Sequence, residues 1–263
     1  MIRVVLLGAA GRMGRAVTEA AAGLPDLSIK AQVDLNLQGG SGVWRESLDG
    51  LAEAGDVVIE FSSPAACREA ARRCAEARAG LVSGTTGLSA GDEAELQSAA
   101  RSIAILRASN FSLGVLALRR AVDAALAAAP GTWDVEIVER HHRGKQDSPS
   151  GTALTLARDA ASARGYPASS LRHGREGRVG SRPAAEIGIH AVRGGSWVGD
   201  HQVLLAGPGE WLELRHVVQD RVAFAHGALT AAEFVANASP GFYTLDSVLS
   251  AAAGGKEVVP RSP

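Results

Sequence analysis

Three glycines at a spacing of three, in Gly8-Ala9-Ala10-Gly11-Arg12-Met13-Gly14, constrain this chain more than any other feature. They follow Ile2 to Leu7, a β-branched apolar run without polar alternation, which predicts a strand buried on both faces. They precede apolar residues at helical spacing, Met13, Ala16, Val17, Ala20, Ala21 and Leu24, closed by Pro25. Leu27 to Val33 predicts a second strand, and Asp34 ends it twenty residues after Gly14. Strand, glycine turn, helix, strand and acid together are the context of a dinucleotide-binding unit. The glycines admit a pyrophosphate close to the backbone, and the helix N-terminus supplies N–H donors and a partial positive charge. The acid accepts from ribose hydroxyls. Asp34 repels a 2′-phosphate, so NADH is the expected cofactor. Arg12, in the same turn, can pair with a phosphate and keeps NADPH open.

With 263 residues, 46% of them hydrophobic, the chain can build one large or two modest cores. A formal net charge of −1 gives no global field toward nucleic acid or a membrane surface, so neither is an expected partner. The N-terminal apolar run breaks into glycines too early for a signal segment or a membrane span. Cys67 and Cys74 lie seven apart in a helical segment, about 10 Å along its axis, too far for a disulfide. They are expected to be small buried residues of a reducing, cytoplasmic compartment. Gly254 to Pro263 reads as a frayed terminus.

Strands are expected at Val57 to Phe61, Gly80 to Ser83 and Ile103 to Ala108, with helices at Pro64 to Ala79 and Ala90 to Ser102. This alternation predicts an α/β, Rossmann-like, doubly wound parallel sheet over residues 1–112. After Phe111 the pattern changes. A long helix, Leu113 to Ala129, precedes an alternating strand, Trp133 to Glu139, and a helix from Ser150 to about Arg164. Arg172 to Arg182 reads as a solvated loop. Ile187 to Val192, Val198 to Ala206 and Trp211 to Val218 are strand-like and joined by tight turns such as Arg193-Gly194-Gly195. Residues 113–221 are therefore expected to form an α+β domain with an open mixed, mostly antiparallel sheet. A last helix, about Val222 to Asn237, is expected to carry 222–263 back onto the first domain.

Chemistry concentrates in Glu139 to Leu154, ERHHRGKQDSPSGTAL. Ser150 is suited to cap a helix whose first turn, Gly151 and Thr152, offers N–H groups to an anion. His142, Arg143 and Lys145 lie upstream and can hold carboxylates of a small acid. A histidine and a lysine beside a bound anion can also donate protons. Spacing does not separate the roles of His141 and His142. Asp147 is expected to orient the loop. Adjacent histidines without a third ligand at suitable spacing make a poor metal site, and none is expected. Ser62-Ser63, Gly84-Thr85-Thr86-Gly87 and Ser109-Asn110-Phe111-Ser112 end parallel strands, on the edge where ligands bind.

Two enzyme alternatives and one from another class share this architecture. A thioester-forming aldehyde dehydrogenase needs a reactive cysteine, and Cys67 and Cys74 sit inside an amphipathic helix. A sugar or homoserine dehydrogenase needs no paired histidines. A non-catalytic NAD-sensing module would keep the glycine turn and dispense with the histidine–lysine loop.

GAAGRMGR, GTTG, SNFSLGV, ERHHRGKQDSPSGTAL and VRGGSWVGDHQVLLAGPGE together resemble the 4-hydroxy-tetrahydrodipicolinate reductase family, formerly dihydrodipicolinate reductase, from Ile2 to about Leu249. The resemblance implies NAD(P)H-dependent reduction of a cyclic dicarboxylate to tetrahydrodipicolinate in lysine and diaminopimelate biosynthesis. It implies His141 and Lys145 as catalytic residues, either of them able to deliver the proton. His142, Ser150, Gly151 and Thr152 would bind substrate. Gly8, Ala9, Ala10, Gly11, Arg12, Met13, Asp34, Gly84, Thr85, Thr86, Ala108, Ser109, Asn110 and Phe111 would meet the cofactor. It also implies a homotetramer assembled through the second domain's sheet. Gly144 departs from the pattern, since many members carry a larger residue there.

Overall fold

The computed structural model describes residues 1–35 and 44–252. The glycine-rich stretch 36–43 and the expected frayed tail lie outside the described residues. The chain divides into two compact units, Met1–Leu113 with Arg221–Pro263, and Gly114–Asp220.

The first unit contains β1 (Ile2–Leu7), α1 (Arg12–Ala21), β2 (Leu27–Val33), β3 (Trp44–Arg45), β4 (Val57–Glu60), α2 (Pro64–Ala77), β5 (Gly80–Ser83), α3 (Ala90–Ala99) and β6 (Ala104–Arg107). After residues of the second unit it is completed by α6 (Val222–Asn237), β12 (Gly241–Tyr243) and α7 (Leu245–Ala252). The strand order is β12-β6-β5-β4-β1-β2-β3, and every pairing is parallel. β1 runs outward to β2 and β3 on one side, while β4, β5 and β6 build the other. The order thus reverses between β1 and β4, and sheets of this class form their ligand crevice at such a switch point, outside the carboxyl ends of the strands.

The local causes are readable. Val4, Val5, Leu6, Val57, Val58 and Ile59 have no exposed surface, as a sheet covered on both faces requires. Pro64 occupies the first turn of α2 behind the Ser63 cap, and α3 starts with a reciprocal capping box between Ser89 and Asp92. Cys67 and Cys74 are free and buried among Val58, Leu81, Leu96 and Ile105. Burial, with the nearby Glu60 charge, pushes the Cys67 thiol up to about 12, so it is a packing residue. α6 packs against α1, β4 and β5. β12 and α7 were not foreseen, because three residues at a sheet edge carry too little pattern to register.

The second unit contains α4 (Leu113–Ala128, all but its first residue), β7 (Asp134–His141), α5 (Gly151–Ala163), a short 3₁₀ turn at Ala168–Ser170, β8 (Leu171–His173), β9 (Ile187–Arg193), β10 (Gly199–Gly207) and β11 (Glu210–Val218). Its sheet is mixed, in the order β11-β10-β7-β9-β8. β10 pairs antiparallel with β11 and β7 along nine and seven residues, whereas β9 pairs parallel with β7 and β8. Val135, Ile137, Ile187, Ile189, Val203 and Leu205 face α4 and α5 and form the core with Leu118, Val122, Leu126 and Leu156. Along β7 burial alternates residue by residue, so Glu139 and His141 continue the apolar face while Glu136 and Arg140 take the other.

The expected solvated loop at Arg172 to Arg182 holds from Gly174 onward, where the segment lies outside any strand and is mostly exposed, but its two ends differ. Arg172 and His173 belong to an edge strand, and Arg175 and Arg182 fold back to bind Glu136. Burial would raise the Glu136 carboxyl, but Arg175, His190 and Arg182 outweigh it and hold it at about 2. Polar composition implied solvation, whereas these charges pair with one another across the sheet's outer face.

Gly227 gives the first unit its tightest approach. A Cβ there would lie 1.8 Å from the Phe111 carbonyl oxygen, so α6 can pack on this strand end only with glycine. Gly227→Ala is expected to cost about 2 kcal/mol as overpacking, read as a lower urea midpoint. An unchanged midpoint would show that the packing yields freely.

Candidate active site

In the first unit the glycine turn is pinned to the end of β2. Gly8 and Ala9 N–H both donate to the Val33 carbonyl, at 2.9 and 3.2 Å. Gly8 has φ of +81°, and a Cβ there would lie 2.2 Å from the Phe61 carbonyl oxygen. A Cβ at Gly14 would meet the Gly8 carbonyl oxygen at 2.4 Å, so α1 can begin this close to β1 only with glycine. The Gly11 N-cap has no side-chain cap, unlike the serine caps of α2, α3 and α5. Asp34 reaches this turn, its Oδ2 accepting from Ala10 N–H at 2.9 Å. Arg12 opens α1 and is exposed, and Met13 beside it is half-buried.

A buried carboxylate organises the neighbouring strand ends. Glu60, the last residue of β4, has no exposed surface. It accepts from Ser62 N–H (2.7 Å), Ser62 Oγ (2.5 Å), Ser83 Oγ (2.9 Å) and Thr85 Oγ1 (2.5 Å). The Thr85 hydroxyl is therefore committed to Glu60, and Thr86 is the exposed threonine of the loop. A Cβ at Gly84 would strike the Phe61 ring at 2.1 Å. Ala108 N–H donates to the Ser83 carbonyl, and Asn110 Oδ1 accepts from Ser112 N–H, so Ala108, Ser109, Asn110 and Phe111 share this edge. Phe111 itself turns inward, edge-on to Phe61 at 5.5 Å, and is buried.

In the second unit the two histidines part company. His141 is the last residue of β7 and is buried on the core face, whereas His142 begins the turn, its N–H bonded to the Trp197 carbonyl at 2.8 Å. Glu139, with no exposed surface, accepts His141 Nδ1 at 2.6 Å, both Arg193 NH groups at 2.7 Å, and Ser150 N–H at 3.0 Å. Burial alone would raise the Glu139 carboxyl. The bonds from His141, Arg193 and Ser150 N–H overcome it and hold the group at about 2. An ionised carboxylate only accepts, so His141 Nδ1 carries the hydrogen and Nε2 is the atom left for chemistry. Gly199 lies beside that Nε2, and a Cβ there would come within 3.4 Å.

Ser150 caps α5, its Oγ accepting from Ala153 N–H at 3.2 Å and lying 2.9 Å from His201 Nε2. Gly151 is exposed and Thr152 half-buried at the first turn. Lys145 Nζ donates to Asp147 Oδ1 at 2.8 Å, and Arg193 binds the Asp147 carbonyl at 2.8 Å. Asp147 is 63% exposed, so its pair with Lys145 is worth at most about 1 kcal/mol. Lys145 can exchange it for another carboxylate. At Gly144 a Cβ would lie 3.4 Å from His142 Nδ1, so the turn has room for a larger residue there.

The structure thus gathers His141, Ser150, Gly151 and Thr152 around Glu139, with Lys145 on the adjoining turn. Sequence reasoning passed over Glu139, Glu60, Arg193 and His201. Two of these had a signal, an acid continuing the apolar face of an alternating strand (Val135, Ile137, Glu139) and an acid ending an apolar one (Val57 to Glu60). Arg193 and His201 had none, because their partners are 54 and 51 residues distant.

The Glu139 cluster predicts an acid-dependent stability. Its folded value of about 2 is below its ordinary 4.5, so its contribution is complete above that value and lost as pH falls toward 2. Glu139→Gln should cost about 3 kcal/mol at neutral pH, having removed one partner of a buried ion pair. The gap from wild type should close as pH falls. Urea unfolding at a series of pH values measures it, and a pH-independent gap would contradict the assignment.

Family models for the N-terminus and the C-terminus of dihydrodipicolinate reductase match residues 2–111 and 114–249. The 4-hydroxy-tetrahydrodipicolinate reductase of Zymomonas mobilis is 41% identical over 256 residues, which cover 94% of this chain and 97% of that one. That of Thermomicrobium roseum is 43% identical, covering 95% of this chain and all of its own length. The dipicolinate-bound dihydrodipicolinate reductase of Paenisporosarcina sp. TG-14 superimposes with a TM-score of 0.76 at 26% identity, covering 93% of this chain and 97% of that one. A glycine turn closed by Asp34, a histidine oriented by a buried glutamate, and these matches along nearly the whole length agree: the chain belongs to the dihydrodipicolinate reductase family.

Proposed function

We infer that this chain reduces 4-hydroxy-tetrahydrodipicolinate to tetrahydrodipicolinate with a nicotinamide cofactor, a step of lysine and diaminopimelate biosynthesis. The observation that carries the reading is His141, buried, with Nδ1 held by Glu139 and Nε2 left for proton transfer, beside the first turn of α5. Residues 1–112 with the C-terminal segment serve as the dinucleotide-binding domain, and 113–221 as the substrate-binding and oligomerisation domain.

The first unit fits a dinucleotide. A pyrophosphate needs close backbone approach and open N–H donors, and Gly8, Gly11 and Gly14 with the uncapped start of α1 supply both. Ala9, Ala10 and Met13 complete that turn. Asp34 stands where a ribose hydroxyl would donate, and Gly84, Thr85, Thr86 and Ala108 to Phe111 form the rest of the edge. NADH is the preferred form, because Asp34 repels a 2′-phosphate, while Arg12 leaves NADPH usable. A bound reduced nicotinamide supplies the hydride.

The second unit supplies the rest. Ser150, Gly151 and Thr152 take one carboxylate, and His142 binds near the other. Lys145 leaves Asp147 for the substrate. Positive charge on this loop is fixed before reaction and opposes the negative charge that grows as hydride arrives. His141 or Lys145 gives the ring its proton, and Glu139 fixes the orientation of the His141 ring through Nδ1. The 4-hydroxyl leaves as water and the ring gains one hydride and one proton, so substrate, hydride and proton balance as tetrahydrodipicolinate and water.

No helix among the described residues is long and apolar enough to cross a membrane. We place the enzyme in the cytoplasm, with a small cyclic dicarboxylate as its substrate and with neither nucleic acid nor membrane as a partner. A homotetramer is supported by the outer face of the second sheet, where Val138, Leu204, Trp211 and Val217 lie among paired charges. Trp211 is 71% exposed and Val217 49%. Trp211→Asp should shift sedimentation toward smaller species, and an unchanged tetramer would place the interface elsewhere.

The decisive assay follows oxidation of NADH and of NADPH, with substrate generated by condensing pyruvate with aspartate semialdehyde. Oxidation that depends on the condensing enzyme is expected, with NADH the better cofactor in kcat/KM. Cofactor binding without oxidation would favour a sensing module. Lys145→Ala should lower kcat by about 10²-fold, as loss of a general acid does, and near wild-type turnover would remove Lys145 from the mechanism.

A further inference from the structure

His201 is a buried imidazole to which the mechanism above gives no role. It lies on β10, opposite Glu139 on β7 and His216 on β11, and is 4% exposed. Its Nε2 is 2.9 Å from Ser150 Oγ. Its Nδ1 is buried and has no hydrogen-bond partner among the described residues. The ring stands edge-on to His141, with centroids 5.1 Å apart. The titratable groups facing it are His141, Glu139, His216 and Asp200. Burial first, and then the His141 charge, bring it down to about 4, so it is neutral at neutral pH.

A neutral imidazole carries one hydrogen, and the two placements have different consequences for Ser150. A hydrogen on Nδ1 would bury an N–H that meets no acceptor, which native structures rarely tolerate. It would also draw the only Ser150 proton into His201 Nε2. A hydrogen on Nε2 avoids the orphaned donor. Ser150 Oγ then accepts twice, from His201 and from Ala153 N–H, and its lone pairs are filled. Its hydroxyl proton is left to point away from both.

We propose that His201 is a positioning residue for the dicarboxylate: its Nε2–H donates to Ser150 Oγ and thereby makes the Ser150 hydroxyl a donor to an anion at the first turn of α5. The proposal rests on the reading that Ser150, Gly151 and Thr152 hold a carboxylate. His201 acts through Ser150 and touches no reacting atom. A doubly protonated ring would keep the Nε2–H bond but bury an Nδ1–H that meets no acceptor, so the neutral Nε2–H form is the one this site favours.

Two measurements test this on the full chain. Nitrogen-resolved NMR of the histidine side chains, with His201 assigned by its loss in His201→Gln, should show Nε2 protonated and Nδ1 bare at neutral pH. A proton on Nδ1 would overturn the proposal whatever the binding variants show. Dipicolinate serves as the binding probe. Ser150→Ala and His201→Phe should each weaken it by about 10- to 100-fold, the range for a hydrogen bond to a charged group. The double variant should be no weaker than Ser150→Ala, and His201→Gln, which returns a donor at the same reach, should recover most of the affinity. Loss in Ser150→Ala with full binding in His201→Phe would overturn the role of His201 alone. Full binding in Ser150→Ala would overturn the carboxylate reading beneath it.

Discussion

One ionised carboxylate buried without solvent, Glu139, orders one end of the second unit's sheet. A lone charge in such a place would cost several kcal/mol, and it persists only because its lone pairs are filled by charged or aligned donors. The donors come from three separate places, β7 itself through His141, the end of β9 through Arg193, and the start of α5 through Ser150 N–H. Strand end, neighbouring strand and helix start are thereby held in one geometry. The tautomer of His141 follows from the same bond, so which ring nitrogen is left unbound to Glu139 is a consequence of the carboxylate's ionisation.

Glu60 plays the corresponding part in the first unit with neutral donors. Two serines and a threonine, from the loop after β4, the last residue of β5 and the loop that follows it, converge on it with the Ser62 N–H. Hydroxyls rotate to suit an acceptor, so this node orders loops without presenting a cation to the cofactor edge. The glycines do the complementary work. At Gly8, Gly14 and Gly84 a single methyl group would collide with backbone or with the Phe61 ring. The crevice at the switch between β1 and β4 is thus shaped by what these side chains lack.

The surface charges behave differently. Lys145 and Asp147 form a half-open pair that costs little to break. Glu136, by contrast, binds Arg175, Arg182 and His190 at once and ties the segment after β8 to the sheet. The same residue types therefore serve as movable chemistry in one place and as a fastening in another, and exposure decides which.

Much was determined by the sequence alone, because its causes are local. A glycine turn between a buried strand and an amphipathic helix, with Asp34 closing the next strand, can satisfy its backbone in few ways other than a βαβ unit. Ser150 before an apolar helical pattern is a cap wherever the chain goes. The concentration of titratable side chains in the loop bearing His141, His142 and Lys145 was legible from its residue types. Only the tertiary structure decided what separates the two histidines, since β7 runs two residues beyond the apparent end of its alternation and carries His141 into the sheet. It also decided the partners of Glu139, Glu60, Arg193 and His201. A hydrogen bond across fifty residues leaves no periodicity in the chain, and it comes into being only when strands pair and bury the charge that requires it.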